Sequence, residues 1–287
     1  MRYQLLYPGF KKKAVTFSYD DGVIQDKKLI EIFNKYQVKA TFNLNVGQSG
    51  KEKIRIDKYG NEIDCSHLDL KENKAIYDGH EIANHTNHHP HLETISKEEQ
   101  YSEFESNIKE LEKIFGRKVF GAAYPYGTFD ENSIQVQQKL KIEYDRTTRS
   151  TYSFALPYNW LTWNPTIHHR DENILEYVKK FLSTNDELAL LYIWGHAYEF
   201  AIDHNFDLME EICKELKANN DIAYMTNHEI YEYANACSLT YYRYEKDING
   251  NPLYEKFYNR GNVDVYIEVE NQLLVVPKNG EITYVRK

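Results

Sequence analysis

The feature that most constrains the fold of this sequence is a regular alternation of short strand patterns with amphipathic helix patterns. Residues 15–19 alternate apolar with polar or small side chains, and residues 29–36 then carry apolar side chains at helical spacing. The succession continues to about residue 236 and contains about seven predicted strands. Strands that are separated by helices usually pair in parallel, so the pattern predicts an α/β fold with a barrel-like sheet.

Two stretches interrupt this alternation. Residues 54–64 are centred on a Tyr-Gly-Asn sequence and predict a hairpin inserted after the second strand. From about Ser238 the helical pattern ends, and Asn279-Gly280 predicts a hairpin turn between two apolar runs. We therefore expect a main barrel domain over residues 1–237 and a small β-rich appendage over residues 238–287.

Composition excludes several classes of function. The formal net charge of -9 argues against a nucleic-acid partner, which requires a basic surface. No segment is apolar enough for a membrane span or a signal peptide. Three cysteines in 287 residues fit a reducing compartment, so we expect a cytoplasmic protein, although a secreted chain whose signal had been removed would read the same. The sequence does not indicate an oligomeric state.

The first candidate site is a pair of adjacent carboxylates, Asp20 and Asp21, at the end of the first barrel strand. Gly22 follows them, and a turn there would bring both side chains into one pocket. Function in α/β folds gathers where strands end. One carboxylate could then bind a metal while the other acts as a base. A solvated turn is the alternative that the pair alone would favour.

The second candidate is a histidine-rich segment, because residues 80–91 contain five histidines. His85 and His89 are four residues apart, so one helical turn would aim both imidazoles at one metal ion. Spacing alone also permits the pairs His80–Asn84 and His88–His91. Together with the aspartates, the segment favours a site of two histidines and one carboxylate, with water or substrate at the remaining positions.

Two further segments are candidates for supporting roles. Residues 124–127 read YPYG after a strand, where freed backbone N–H groups could stabilise an oxyanion, although an ordinary turn has the same pattern. Residues 194–196 read WGH at the end of an apolar strand. His196 there could act as a general acid or lie in the core as a satisfied histidine.

In order and spacing these four segments resemble the polysaccharide deacetylases, carbohydrate esterase family 4. Residues 16–22 (TFSYDDG) resemble the first motif of that family, and residues 85–89 (HTNHH) resemble its metal-binding motif. YPYG resembles the end of its third motif and WGH its last one, and the resemblance covers roughly residues 12–236. It implies a distorted (β/α) barrel with the site at the carboxyl ends of the strands.

The resemblance also implies a role for each motif residue. Asp20 would be the catalytic base, and Asp21, His85 and His89 would bind a divalent metal, by default zinc. Tyr126 would donate a backbone N–H to the oxyanion, and His196 would be the acid. The substrate would be an acetylated sugar or glycan. We add Tyr124, Trp194 and Arg149 as candidate substrate-binding residues. Trp160 or Trp163 could form a wall of the acetyl pocket or equally be a core tryptophan.

The sequence departs from the family pattern at two charged positions. Ala123 stands where the third motif usually has an arginine, and the fourth motif, Asp-x-x-Asp-Trp, is missing. We expect Arg146 or Arg149, from the neighbouring strand, to supply the missing positive charge beside Asp20. Glu199 could orient His196.

Three functions follow as hypotheses. The first is a metal-dependent hydrolase that removes acetyl groups from an N- or O-acetylated sugar or glycan. The second keeps the fold but cleaves C–N bonds in small cyclic amides or ureas. The third is an inactive carbohydrate-binding protein that retains the metal, since the missing arginine and aspartate could have ended catalysis.

Overall fold

The computed structural model of the protein describes residues 3–246, 248 and 252–284. Its α-helices are α1 Asp26–Lys35, α2 Leu70–Asn73, α3 Lys97–Phe115, α4 Glu131–Leu140, α5 Ile174–Ser183, α6 Ala197–Asp203, α7 Phe206–Lys217 and α8 Asn227–Ser238. Its strands are β1 Tyr3–Leu6, β2 Lys13–Asp20, β3 Thr41–Leu44, β4 Ile54–Ile56, β5 Glu62–Asp64, β6 Glu81–Asn84, β7 Gly121–Ala123, β8 Tyr144–Arg146, β9 Ile167–His168, β10 Ala189–His196, β11 Ile222–Tyr224, β12 Thr240–Lys246, β13 Pro252–Asn259, β14 Val265–Val269, β15 Gln272–Val276 and β16 Glu281–Tyr284.

A curled parallel sheet with helices around it forms the main part of the protein. Seven strands follow one another in the order β8-β7-β6-β3-β2-β10-β9. An eighth strand, β11, pairs with the first half of β2, while β3 pairs with its second half. This arrangement confirms the predicted distorted (β/α) barrel of about seven strands.

Strand β2 is central because its sequence permits burial on both faces. All eight of its residues are buried, and it pairs with β10 over its whole length. Such burial on both faces is typical of parallel strands that are covered by helices. Since β2 and β10 end together at Asp20 and His196, the pairing register places these two predicted site residues side by side.

The predicted helix signals account for several helix ends. Both capping boxes are present, at Ser96 for α3 and at Thr226 for α8. Helix α3 ends at Gly116, whose φ of 67° places it in the left-handed region that glycine adopts without strain. The predicted hairpin after the second barrel strand is also present, as β4 and β5.

The C-terminal strands form two three-stranded antiparallel sheets, β1-β14-β15 and β12-β13-β16. The predicted hairpin at Asn279-Gly280 is wrong. Asn279 does have a turn conformation, with φ of 48°, but β15 and β16 on either side of it pair in different sheets. The local sequence specifies that the chain turns at Asn279. It does not specify the partner of β16, which pairs with β13 and not with β15.

The C-terminal sheets share a core with the barrel. Strand β1 pairs with β14, and one buried cluster contains both Tyr7 and Tyr233 of the first part and Phe257 and Val265 of the second. The division into domains at residues 237 and 238 stays a prediction. Among the described residues, no helix is both long and apolar enough to cross a membrane.

Candidate metal and catalytic site

A cleft of about 610 Å³ opens at the carboxyl ends of the barrel strands. Its volume lies in the range of small-molecule sites. Most of the residues that the motifs singled out line it: Asp20, Asp21, His85, His89, Tyr124, Tyr126, Trp194 and His196.

Asp21, His85 and His89 converge at the floor of this cleft. The Nε2 atoms of both histidines lie 3.8 Å from Oδ1 of Asp21. Two ligand atoms that each lie about 2.1 Å from one ion can be at most about 4.2 Å apart, so a single ion could bind all three side chains. This trio is one of two clusters with metal-ligand spacing within the described residues.

The hydrogen bonds of His85 leave one ring nitrogen for a ligand. Its Nδ1 donates to the carbonyl oxygen of Ala123 at 2.7 Å, which directs Nε2 towards Asp21. That Nε2 is buried and has no hydrogen-bond partner. A buried polar atom without a partner costs free energy unless a ligand satisfies it, and metal-binding histidines commonly donate their other N–H to a carbonyl. The residues present therefore fit a divalent metal.

The charge states of Asp21 and His89 suit metal binding as well. Burial would raise the pKa of Asp21, but His196, His85, His89 and Lys53 outweigh it and lower the pKa to about 2. Burial and the neighbouring His85 lower the pKa of His89 to about 4. A carboxylate and a neutral imidazole are the forms that bind metals.

Loops with left-handed backbone, and no helix, present these side chains. The predicted helical turn at residues 85–89 is wrong, because this segment leaves β6 as a loop. Asp21, Thr86, His89 and Tyr126 all have positive φ, between 59° and 81°. Such conformations are costly for non-glycine residues and concentrate at functional sites. Directly after Asp21, Gly22 has φ of 68°, and a Cβ there would lie 2.9 Å from a Leu44 methyl group.

Asp20 lies beside the trio and is held by two donors. Asn43 Nδ2 donates to its Oδ1 at 2.8 Å, and Arg146 Nη2 donates to its Oδ2. Arg146 is completely buried, with its guanidinium carbon 4.3 Å from the Trp194 ring. Burial would raise the pKa of Asp20, but the charges of Arg146, His85 and His196 lower it below its ordinary value. Of the two arginines expected to supply a positive charge beside Asp20, Arg146 is therefore the one in contact with it.

His196 lies on the other side of Asp20 and is backed by Glu199. Its Nε2 is 3.9 Å from Asp20 Oδ2, and its Nδ1 is 3.3 Å from Glu199 Oε2. The same carboxylate accepts the backbone N–H of His196 at 2.9 Å and lies 3.2 Å from Arg170 Nη1. Burial would lower the pKa of His196, but Glu199 and Asp21 raise it above its ordinary value.

The second cluster with metal-ligand spacing consists of His168, His169 and Glu199. His168 Nδ1 accepts the backbone N–H of Arg170 at 3.0 Å, which leaves the ring proton on Nε2, facing Glu199. A protonated nitrogen donates a hydrogen bond and cannot bind a metal. His168 therefore faces Glu199 as a donor, and His169 Nε2 lies 3.4 Å from the same carboxylate. No sequence motif pointed to either histidine.

Three of the predicted substrate-binding residues lie elsewhere. Trp163 is 1% exposed and packs edge-on against Tyr144 in the core, and Trp160 packs on Trp163. Arg149 is exposed. None of the three lines the cleft, whereas Tyr124 and Trp194 do. Tyr124 also donates its hydroxyl to the carbonyl of Leu161 at 3.0 Å.

Several cleft residues were not predicted from the sequence. Lys51, Lys53 and Arg55, which lead into the hairpin, line one wall, as do His67 and Tyr198. Asn43 was missed too, although its position in β3 follows from the pairing of Asp20 with Asn43.

Comparison with known proteins agrees with this fold. Residues 8–144 match the family model described as polysaccharide deacetylase. A Mycobacterium smegmatis protein assigned to the polysaccharide deacetylases is 16% identical, with a TM-score of 0.58, over 82% of this chain and 94% of that one. At this identity the similarity shows the fold alone.

Two other solved structures are similar over a smaller share of their length. The Streptococcus pyogenes deacetylase PplD is 25% identical, with a TM-score of 0.43, over 51% of this chain and 61% of that one. A Bacillus anthracis pseudoenzyme of carbohydrate esterase family 4 is 16% identical, with a TM-score of 0.49, over 78% of this chain and 66% of that one. A search of curated proteins found no significant match.

Fold and site together define a (β/α) barrel with a candidate metal centre at the carboxyl ends of its strands. The family resemblance predicted from the motifs, to the polysaccharide deacetylases of carbohydrate esterase family 4, is confirmed.

Proposed function

We propose that this protein is a metal-dependent deacetylase that hydrolyses acetyl groups on an amino sugar or an acetylated glycan. The observation that carries the proposal is the convergence of Asp21, His85 and His89 beside a second carboxylate, Asp20, which Arg146 holds. A binding site for a metal alone would not require Asp20. A hydrolase requires it, because some group must accept the proton of the attacking water.

Asp21, His85 and His89 would hold the metal, and zinc is the default for this mixture of nitrogen and oxygen ligands. When bound, a divalent metal lowers the pKa of water and polarises a carbonyl oxygen. The Ala123 carbonyl supports this role by fixing His85, since orienting partners of this kind tune metal ligands.

Asp20 is the proposed general base. Its lowered pKa keeps it ionised near neutral pH. The hydrogen bonds from Asn43 and Arg146 fix the carboxylate within the cleft. It would take a proton from the water that attacks the acetyl carbon. Arg146 would keep Asp20 ionised before the attack, which is the task of the arginine that the third motif lacks.

Tyr126 and His196 would complete the reaction. The backbone N–H of Tyr126 would donate to the oxygen of the tetrahedral intermediate. His196, whose protonated form is favoured because Glu199 and Asp21 raise its pKa, would donate a proton to the leaving nitrogen or oxygen. Glu199 would play the positioning role expected of it, holding Nδ1 so that Nε2 faces the substrate.

Tyr124 and Trp194 offer the apolar wall that the acetyl methyl group needs, because both line the cleft next to Asp20. Arg146 would supply the charge that Ala123 cannot, and Glu199 would orient His196, so the missing motif residues alone do not favour an inactive protein. The cleft volume suits a sugar unit.

One panel of assays tests the proposal. The protein, reconstituted with Zn²⁺, would be assayed for acetate release from chitooligosaccharides, acetylated xylan and a generic acetate ester, with Asp20→Asn as control. We expect acetate release that the substitution lowers by about 10² to 10⁴-fold. Ammonia release from cyclic amides without acetate release would favour the second hypothesis. Bound metal without turnover of any substrate would favour the third.

A further inference from the structure

One wall of the cleft carries three cations at alternate positions, Lys51, Lys53 and Arg55, which we call the basic stripe. Residues two apart on an extended segment share one side. The backbone keeps this segment extended, since Lys51 and Lys53 accept the N–H groups of His67 and Cys65 through their carbonyl oxygens, at 2.9 and 2.7 Å. The hairpin β4–β5 continues this pairing, so the stripe is a built feature of the inserted hairpin.

The basic stripe forms no ion pair among the residues that the structure describes, although Lys53 is close enough to help lower the pKa of Asp21. Over residues 3–246, 248 and 252–284, no carboxylate oxygen lies within 4.0 Å of its three cationic groups. Arg55 Nε is buried without a hydrogen-bond partner. Arg146 differs in having an anionic partner, because its Nη2 donates to Asp20, although its Nε, like that of Arg55, has no hydrogen-bond partner.

The stripe offsets the negative charge of the cleft. The whole chain has a net charge of -9, yet in the cleft lining the three cations of the stripe face three carboxylates, Asp20, Asp21 and Glu52, and Asp20 is already paired by the buried Arg146. A divalent metal on Asp21 would make the balance positive. A cluster of unpaired cations in a cleft attracts ligands of the opposite sign.

Arg55 ties the stripe to the reacting groups. Its guanidinium carbon lies 4.0 Å from the centre of the Tyr198 ring, and the Tyr198 ring lies 5.0 Å from the ring of His196. One aromatic ring therefore separates Arg55 from the proposed general acid. A ligand group on Arg55 would lie close to the reacting groups.

We propose that the substrate is an acetylated sugar that carries an anionic group, a carboxylate or a phosphate, and that the basic stripe binds this group. The inference rests on the proposed function for the identity of the reacting bond. The inference that the substrate is anionic rests on the basic stripe alone.

The test compares uncharged with anionic substrates. The zinc-loaded protein would be assayed for acetate release from N-acetylglucosamine, a phosphorylated N-acetylglucosamine and N-acetylmuramic acid. The matched variant replaces the stripe by glutamine (Lys51→Gln, Lys53→Gln, Arg55→Gln). Lys58→Gln is the control, because Lys58 lies in the same hairpin segment and does not line the cleft.

We expect kcat/KM to be at least about tenfold higher for one anionic sugar than for N-acetylglucosamine, since charge-assisted contacts are the stronger hydrogen bonds. The stripe variant should bring this ratio close to one, and Lys58→Gln should keep it. Raising the salt concentration should lower the ratio, because partly exposed charges are screened. Whichever anionic sugar shows the preference identifies carboxylate or phosphate as the group bound.

Calorimetric titration of Asp20→Asn with the same sugars separates the two proposals. One outcome is that no sugar releases acetate, but an anionic sugar still binds more tightly than N-acetylglucosamine and the stripe substitutions abolish that difference. In that case the proposed deacetylase function is wrong, and the proposal that the basic stripe binds an anionic group is supported. Equal kcat/KM or equal affinity for charged and uncharged sugars would contradict the proposal that the basic stripe binds an anionic group. Should the triple variant not fold, Lys53→Gln alone must still lower the ratio.

Discussion

Arg146 on β8 donates to Asp20 on β2, although four strand-to-strand steps separate the two strands in the sheet order. The curl of the sheet allows the contact, since the carboxyl ends of distant strands face one cleft. The positive charge beside Asp20 therefore comes from the fourth strand along the sheet, while Ala123 takes the motif position on β7.

Replacing Arg146 by methionine should lower kcat by about 10²-fold or more, because Asp20 would lose the charge that keeps it ionised. The acid limb of the pH–rate profile should move to higher pH, as the pKa of Asp20 rises towards its ordinary value and beyond. The free energy of unfolding, measured in urea, should fall by about 3–5 kcal/mol, which is the usual cost of leaving a buried charge unpaired. Arg149→Ala, exposed and outside the cleft, should behave as wild type; the reverse pattern would assign the role to Arg149.

Chelation should remove the metal and the activity together, and Zn²⁺ should restore both. His85→Asn should weaken metal affinity by at least about 100-fold, since even orienting partners of metal ligands commonly cost 10- to 100-fold. His88→Gln is the matched control, because His88 lies on the same loop with its Nδ1 2.7 Å from Glu103. Metal content after dialysis, measured by mass spectrometry, decides the matter, and a His85 variant that kept its metal would contradict the assigned ligands.

Glu199→Gln should lower the pKa of His196, because the carboxylate is a main cause of its raised value. An acid catalyst is lost as pH rises through its pKa, so the alkaline limb of the pH–rate profile should move down by about one unit or more. A merely structural role for Glu199 would lower the rate at every pH and leave the limb in place. Glu103→Gln removes a comparable carboxylate from His88 and should not move the limb.

Ile267→Ala should destabilise the whole protein and not the C-terminal sheets alone. Ile267 is fully buried in the cluster that also holds Tyr7 and Tyr233, so the cost should be about 2–5 kcal/mol in a single urea transition. Leu273, on the paired strand β15, is 53% exposed, and Leu273→Ala should cost less than about 1 kcal/mol. Two separate transitions would instead support independent domains at residues 1–237 and 238–287.

The sequence was most informative where chemistry demands particular residue types at strand ends. The parallel fold, the convergence of Asp21, His85 and His89, and the placing of Arg146 beside Asp20 could be predicted, because parallel strands direct their carboxyl ends to one end of the sheet. The conformation of the loop at residues 85–89 could not. A spacing of four residues fits a helical turn, but Thr86 and His89 instead take left-handed conformations that only the surrounding contacts can impose.

Residues whose role depends on distant contacts were harder to place. Trp160 and Trp163 were candidates for substrate binding because aromatic side chains can contact a substrate. A large aromatic side chain fills a core equally well, and the packing of Trp163 on Tyr192 shows that it lies in the core. The basic stripe was missed for the opposite reason. Alternating lysines usually indicate a solvated strand, and only the fold shows that this strand faces the cleft.

The pairing of β1 with β14 joins residues 3–6 to residues 265–269. During synthesis, the first strand must therefore wait for almost the entire chain to leave the ribosome before it gains its partner. Contacts so far apart in sequence slow folding. Until that late closure, apolar side chains such as Leu6 and Tyr7 lack the strand that covers them, and exposed apolar surface of this kind favours aggregation of an incomplete chain.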